Sequence, residues 1–177
     1  MGIRKLHHAA YRCNDAKETT EFYTKVLGLK FSHVVRADYV PSTKEFYPYL
    51  HIFFEMDDGS CIAFFEVPSQ PQMGFDPNTP QWVQHFAMEV EDEATQNQFR
   101  QRLEEHGVDY IGPIDHEFVR SIYFFDPNDH RLEITYRCHE EGDLERYAAE
   151  AHEQLDEWVQ DRASGFTTKK GVLAETA

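Results

Sequence analysis

Three residues of this chain have side chains suited to holding a catalytic metal ion, namely His8, His85 and Glu133. Two imidazoles and one carboxylate suit a divalent metal and leave coordination positions open for substrate, water or oxygen. The three residues are far apart in the sequence, and no local ligand pattern such as H-x-x-x-H surrounds them. A site built from them therefore requires a fold that brings three distant strands together.

An internal repeat in the sequence predicts such a fold. Each half opens with a short strand that carries a His, and an acid follows that His at the same interval, Asp15 in one half and Asp92 in the other. An amphipathic helix comes next and ends at a glycine suited to a left-handed C-cap, Gly28 or Gly107. Strands joined by tight turns close each half. The pattern predicts an α+β fold made of two βαβββ modules.

The boundaries of these modules follow from composition. Residues 68–81 contain four of the eight prolines and are typical of a linker. Module 1 is therefore placed at residues 1–67 and module 2 at residues 82–138. Residues 139–177 form a C-terminal extension, in which apolar residues recur at three- and four-residue spacing over 143–162. This spacing predicts an amphipathic helix that packs on the domain or on a second subunit, followed by a tail.

Strand alternation indicates the direction in which the candidate ligands point. His85 shares a strand face with Ala87, and the same alternation places Glu133 on the polar face of the last strand. The corresponding face of the first half carries His8 beside Ala10, so small residues adjoin both histidines. Alternation alone leaves open that this face is simply solvated and that His85 and Glu133 are ordinary surface residues.

Composition and charge argue against binding to nucleic acid or anionic membranes and favour a cytoplasmic location. The formal net charge of −15 at pH 7 argues against nucleic acid and anionic membranes, since both repel an acidic surface. Three scattered cysteines without a C-x-x-C pattern indicate reduced thiols, as in a cytoplasmic protein. The N-terminus has no apolar signal core, and no apolar run reaches transmembrane length.

The duplicated unit resembles the vicinal oxygen chelate superfamily. This superfamily includes glyoxalase I, bleomycin-resistance proteins, fosfomycin-resistance enzymes, methylmalonyl-CoA epimerase and type I extradiol dioxygenases. The likeness covers about residues 3–136 and is most specific in the segments HHAAYRCND…EFYTKVLGLKF and RSIYFFDPNDHRLEI. The resemblance implies eight strands that form a cup with a metal ion inside.

The resemblance also assigns the ligands. His8 falls on the first-strand His of the family, His85 on the opening His of the second module and Glu133 on the closing Glu. His7 is the alternative to His8, but the spacing to Asp15 and the H-x-A-x-R alternation favour His8.

Further positions separate the activities found within the superfamily. Aligning FFEMDDGSCIA in the first half with FFDPNDHRLE in the second places Ala63 opposite Glu133. Glyoxalase I usually adds a carboxylate ligand from the first module, and Ala63 stands at that position here. Tyr123 resembles the active-site tyrosine of the dioxygenases, although the fosfomycin enzymes also place a tyrosine there. His116 lies near the position of a histidine that dioxygenases keep beside the metal site. The acid/base histidine of the dioxygenases aligns near Ser60, which is a departure from their pattern.

These positions favour one function and leave two alternatives. The favoured function is extradiol-type dioxygenase chemistry on a small oxygenated, possibly aromatic, substrate. It would use one divalent metal per chain, with Fe or Mn favoured over Zn, Ni or Co. Tyr123 would hydrogen-bond a substrate oxygen, and His116 would shuttle a proton.

The first alternative is a glyoxalase-like lyase or isomerase, or an epoxide-opening hydrolase, that uses the metal as a Lewis acid. Its candidate bases are Glu45, Glu55 and Glu66. The second alternative is a non-catalytic binding protein of the bleomycin-resistance kind. In every case the expected partners are a small-molecule substrate and a second copy of the chain in a homodimer.

Other histidines and aromatic residues are less informative. His33, His51 and His130 are interpreted as surface or turn residues. A loop near the mouth of any site is predicted over residues 36–49. Aromatic residues in this loop and in the strands could line a substrate cavity or belong to the core: Tyr39, Phe46, Tyr47, Tyr49, Phe54 and Phe125.

Overall fold

The computed structural model of this chain describes residues 2–165. The chain divides into two compact units, Met1–Arg137 and Cys138–Ala177. The first unit holds both sheets and the second holds one helix. The tail predicted after that helix lies mostly outside the described residues.

Each half of the first unit is a βαβββ module. Module 1 consists of β1 (His8–Cys13), α1 (Ala16–Glu21, continued by a π-helical turn Phe22–Val26), β2 (Lys30–Tyr39), β3 (Phe46–Glu55) and β4 (Cys61–Glu66). Module 2 consists of β5 (His85–Glu89), α2 (Glu93–Glu105), β6 (Tyr110–Asp115), β7 (Val119–Phe125) and β8 (Arg131–Arg137). The two modules confirm the predicted α+β class. The loop predicted over residues 36–49 is wrong for the most part, because β2 and β3 extend well into it.

Each module has its own four-stranded mixed sheet. The strand order is β1-β4-β3-β2 in module 1 and β5-β8-β7-β6 in module 2. The first strand of each module pairs in parallel with the last, and the other pairs are antiparallel. The strands that carry His8 and His85, β1 and β5, therefore each lie at a sheet edge.

The acids that recur in the repeat are helix N-caps. The carboxylate of Asp15 accepts hydrogen bonds from backbone N–H groups in the first turn of α1, and that of Asp92 does the same at α2. Gly28 and Gly107 have φ angles of +75° and +67°, which a glycine adopts without steric cost. The repeated signals in the sequence thus mark the beginning and the end of each helical segment.

The two modules share one hydrophobic core beneath their helices. Its members come from both sheets and include Tyr23, Phe54, Phe64, Met88, Leu103, Ile122, Leu132 and Ile134. A buried polar network reinforces the contact between the modules, since the Tyr23 hydroxyl donates to Asp126 at 3.1 Å and Asn128 donates to Thr19 at 3.1 Å. The opposite face of each sheet, called here the open face, carries the candidate ligands.

The second unit is the helix α3 (Asp143–Ser164), as the sequence predicted. None of its residues is buried, and large apolar side chains along it are exposed, namely Leu144, Leu155, Trp158 and Val159. Within the described part of the chain, no helix combines the length and apolar character needed to cross a membrane.

Candidate metal centre

His85 and Glu133 meet on the open face of module 2. The parallel pairing of β5 with β8 sets Ala87 opposite Glu133, and strand alternation puts His85 on the same face. As a result, His85 Nε2 lies 3.0 Å from Glu133 Oε2. Glu133 is buried, being 5% exposed, whereas His85 is exposed. The two side chains therefore form a preformed imidazole–carboxylate pair at the edge of the sheet.

The remaining polar atoms of this pair have fixed partners. His85 Nδ1 lies 3.0 Å from the carbonyl oxygen of Val83, and because a carbonyl only accepts, Nδ1 carries the hydrogen. The hydroxyl of Ser121 donates to Glu133 Oε1. These contacts leave His85 Nε2 and Glu133 Oε2 as neighbouring donor atoms for a cation. Outer hydrogen bonds of this kind orient ligands in metal sites, so the pair fits a divalent metal.

Ser121 was missed by the sequence analysis. It is fully buried, and its Oγ also lies 3.0 Å from Thr135 Oγ1. Strand alternation could have found it, because Ser121 lies two residues before Tyr123 on the same face of β7 and pairs with Thr135.

Tyr123 and His116 lie beside the pair. Tyr123 is directly opposite Glu133 in the β7–β8 register, and the two ring centroids of Tyr123 and His85 are 6.0 Å apart. The Tyr123 hydroxyl is 2.8 Å from His116 Nε2. Burial raises the pKa of the Tyr123 hydroxyl, and the neighbouring Glu133 charge raises it further. The structure therefore brings together His85, Glu133, Tyr123 and His116.

His8 lies in different surroundings, on the open face of module 1. Its Nδ1 shares a hydrogen bond with His7 Nδ1 at 2.8 Å, and its ring contacts those of Phe53 and His51 at centroid distances of 5.5 and 6.1 Å. His7 precedes β1 and contacts His8 through its ring. Within residues 2–165 of a single chain, no group of three His, Cys, Asp or Glu side chains is close enough together to hold a metal ion. The three-ligand set remains a prediction.

The strand registers agree with the alignment of the two halves. Ala63 lies opposite Ala10 and Phe53, just as Glu133 lies opposite Ala87 and Tyr123. Module 1 therefore presents a histidine with a methyl group where module 2 presents a histidine with a carboxylate.

The carboxylates considered as bases have partners of their own within module 1. Glu66 accepts a hydrogen bond from the backbone N–H of Ala16 at 2.7 Å. Glu55 pairs with Lys30 at 3.3 Å. Glu45 accepts from the Thr43 hydroxyl at 3.0 Å. These contacts assign local structural roles to the three acids.

The interpretation of His51 as a surface or turn residue is wrong. His51 lies in the middle of β3 and is only 9% exposed. His130 is half-buried, and its Nε2 lies 2.8 Å from the carbonyl oxygen of Arg12. Of the aromatic residues that could line a cavity, Phe54 belongs to the core.

A cavity of about 230 Å³ adjoins His85. It lies between the linker and the meeting edges of the two modules, and its walls include Tyr11, Phe75, Phe86 and His130. Aromatic walls with a few polar groups are typical of small-molecule sites.

The chain belongs to the glyoxalase/bleomycin resistance protein/dioxygenase superfamily, since the family model of that description matches residues 5–134. No curated protein sequence matches it significantly.

Solved structures show the same fold. A glyoxylase/bleomycin resistance protein/dioxygenase domain from Frankia sp. EAN1pec is 17% identical with a TM-score of 0.64, over 77% of this chain and 100% of that one. A glyoxalase/dioxygenase from Nostoc punctiforme is 21% identical with a TM-score of 0.54, over 77% and 92% of the respective chains. The fosfomycin resistance protein FosX from Listeria monocytogenes, in complex with Mn(II) and 1S,2S-dihydroxypropylphosphonic acid, is 20% identical with a TM-score of 0.52, over 75% and 92%.

Proposed function

We propose that this protein is a divalent-metal-dependent enzyme, with Fe(II) or Mn(II) held by His85, Glu133 and His8. The observation that carries the proposal is the contact between His85 Nε2 and Glu133 Oε2, with the other polar atom of each side chain already bound elsewhere. A buried carboxylate on an inner strand such as β8 is costly unless a cation or hydrogen-bond donors compensate its charge. A metal ion between the two side chains supplies that compensation.

The activity we propose is extradiol-type dioxygenase chemistry on a small oxygenated substrate, such as a catechol. The metal would bring substrate oxygens and O₂ to adjacent coordination positions. Tyr123 keeps its proton at neutral pH, because the ordinary pKa of a tyrosine lies well above neutral and burial raises it further. Its hydroxyl can therefore donate a hydrogen bond to a substrate oxygen. His116 is exposed and bonded to that hydroxyl, and it therefore links the site to solvent for proton exchange.

The third ligand, in this proposal, comes from a second copy of the chain. Two observations support a shared site. His85 and Glu133 already meet, whereas His8 of the same chain contacts His7 and His51 on the other module. His8 and His85 are both exposed, so each is available to a neighbouring molecule. A two-fold homodimer would thus complete two identical sites at once.

The decisive experiment combines metal analysis with oxygen uptake. Metal-free protein is reloaded without oxygen with Fe(II), Mn(II) or Zn(II), and oxygen consumption is then recorded with catechol. We expect uptake with Fe(II) or Mn(II) and none with Zn(II), because only a redox-active metal supports the reaction.

Two outcomes would overturn this activity. Conversion of an epoxide or of a 2-oxoaldehyde–thiol adduct by the Zn- or Ni-loaded protein under nitrogen would favour Lewis-acid catalysis. Failure to retain any divalent metal would favour a non-catalytic binding protein.

A further inference from the structure

The helix α3 carries a row of apolar side chains at three- and four-residue spacing. Because an α-helix completes a turn about every 3.6 residues, these side chains lie on one side of it. The large ones are between 43% and 58% exposed. Apolar surface of this extent is unfavourable in water and marks an interaction site. We call the six residues of the row the α3 stripe: Leu144, Ala148, Ala151, Leu155, Trp158 and Val159.

The acids in the middle of α3 point away from the stripe. Helical periodicity places Glu150, Glu153 and Glu157 on the opposite side of the helix. A basic partner would be attracted to that outward side and not to the stripe. The occupant of the stripe is therefore selected by its apolar surface and by the charges at the two ends of the helix.

The two ends of the α3 stripe carry opposite charges. In the last turn of the helix, Arg162 lies one heptad after Leu155 and continues the line of the stripe. In the first turn, Glu145 is the acidic neighbour of Leu144. A second copy of α3 that runs in the opposite direction therefore brings an acid beside each arginine, at both ends of the pair.

The side-chain sizes along the stripe also match a reversed copy of the same helix. In the antiparallel register that sets Arg162 against the first turn, Leu155 faces Ala151 of the second copy and Trp158 faces Ala148. Each large side chain thus meets a methyl group, and the two layers interdigitate. A parallel pair would instead oppose Trp158 to Trp158 and Arg162 to Arg162, which combines crowding with like-charge repulsion.

We propose that the α3 stripe is a self-association surface, on which α3 of a second copy of this chain packs antiparallel. Such a pair has a two-fold axis, so each stripe covers the other and the assembly closes at two chains. The interface goes beyond the proposed function, which requires a homodimer but names no surface that holds it together. The stripe belongs to the unit Cys138–Ala177 and contains none of the candidate metal ligands.

The first test places a charge in the α3 stripe. Sedimentation velocity of the full-length, metal-free protein over a range of concentrations gives the dimer dissociation constant. Leu155→Lys should raise this constant about tenfold or more, because a lysine in the covered stripe is desolvated without a partner. Gln160→Lys is the matched control, since it adds the same charge on the outward side of α3 and should leave the constant nearly unchanged.

The second test reverses the charges at the ends of the stripe and needs no change to its apolar residues. Arg162→Glu and Glu145→Arg should each weaken the dimer about three- to tenfold at low ionic strength, because each places like charges together at both ends of the pair. The chain with both reversals should recover most of the native affinity. Arg146→Glu, a reversal on the outward side, should weaken the dimer less. Circular dichroism of each variant checks that α3 stays helical.

The proposal is overturned if the native protein is monomeric at every concentration, if Leu155→Lys dimerises as tightly as Gln160→Lys, or if the double reversal is no tighter than the single ones. Packing of the stripe within its own chain, or against a different protein, would produce these results. Because the measurements use metal-free protein, they are independent of metal content and oxygen uptake. A dimer held by α3 that retains no metal would contradict the proposed function and leave this interface intact.

Discussion

Glu133 divides its two oxygens between two neighbours: Oε2 lies 3.0 Å from His85 Nε2, and Oε1 accepts the hydrogen of Ser121. The carboxylate is therefore oriented before any metal binds. Preorganised ligands avoid the entropy cost of ordering side chains during binding. This relationship motivates the first two predictions.

Removal of either member of the pair should abolish metal retention. Glu133→Ala and His85→Ala each leave too few ligands to hold a divalent ion, so metal content after gel filtration should fall from about one per chain to near zero. Glu89→Gln is the control, because Glu89 shares the strand face of His85 but pairs with Arg137 at 2.9 Å. Full metal content in either ligand variant would refute the site.

Ser121→Ala should weaken metal binding without removing it. The substitution deletes the donor to Oε1, and loss of such an orienting hydrogen bond typically lowers metal affinity about 10- to 100-fold. Calorimetric titration of metal-free protein measures the change. Thr135→Val removes the neighbouring hydroxyl, which does not contact Glu133 directly, and should cost less. Equal losses for both variants would indicate general loosening of the sheet.

The origin of the third ligand can be tested by mixing two inactive variants. In a shared site, a mixed dimer of His8→Ala and Glu133→Ala chains has one intact site and one site with both defects. We expect such mixtures, unfolded and refolded together, to regain metal and activity that neither variant has alone. A site contained within one chain predicts no recovery at any mixing ratio.

Tyr123→Phe separates a role in catalysis from a role in packing. Only the hydroxyl is lost, so the hydrogen bond to His116 disappears while the buried ring remains. We expect lower turnover with a melting temperature close to that of the native protein. Unchanged turnover combined with a clear drop in melting temperature would assign Tyr123 to the core.

Local sequence signals predicted much of the fold. The N-cap acids Asp15 and Asp92 and the glycines after each helix act within a few residues, and their effect needs no distant partner. The alternation that places His85 on the open face likewise depends only on the period of a strand.

Comparison of the two halves of the repeat also predicted a correspondence between residues that are far apart in the sequence. Aligning its halves set Ala63 against Glu133, and the sheet registers have the same correspondence. The sequence alone therefore determined the two modules, the faces of their strands and the identity of the candidate ligands, because each follows from local periodicity or from comparison of one half with the other.

Tertiary structure decided which of these residues meet. The position of His8 relative to His85 depends on how two modules pack through a shared core, and no periodicity encodes that arrangement. His51 is buried, and the Ser121 hydroxyl donates a hydrogen bond to Glu133, because adjacent strands bring together residues that are distant in sequence. Such contacts exist only once the sheets have formed, so the structure was needed to find them.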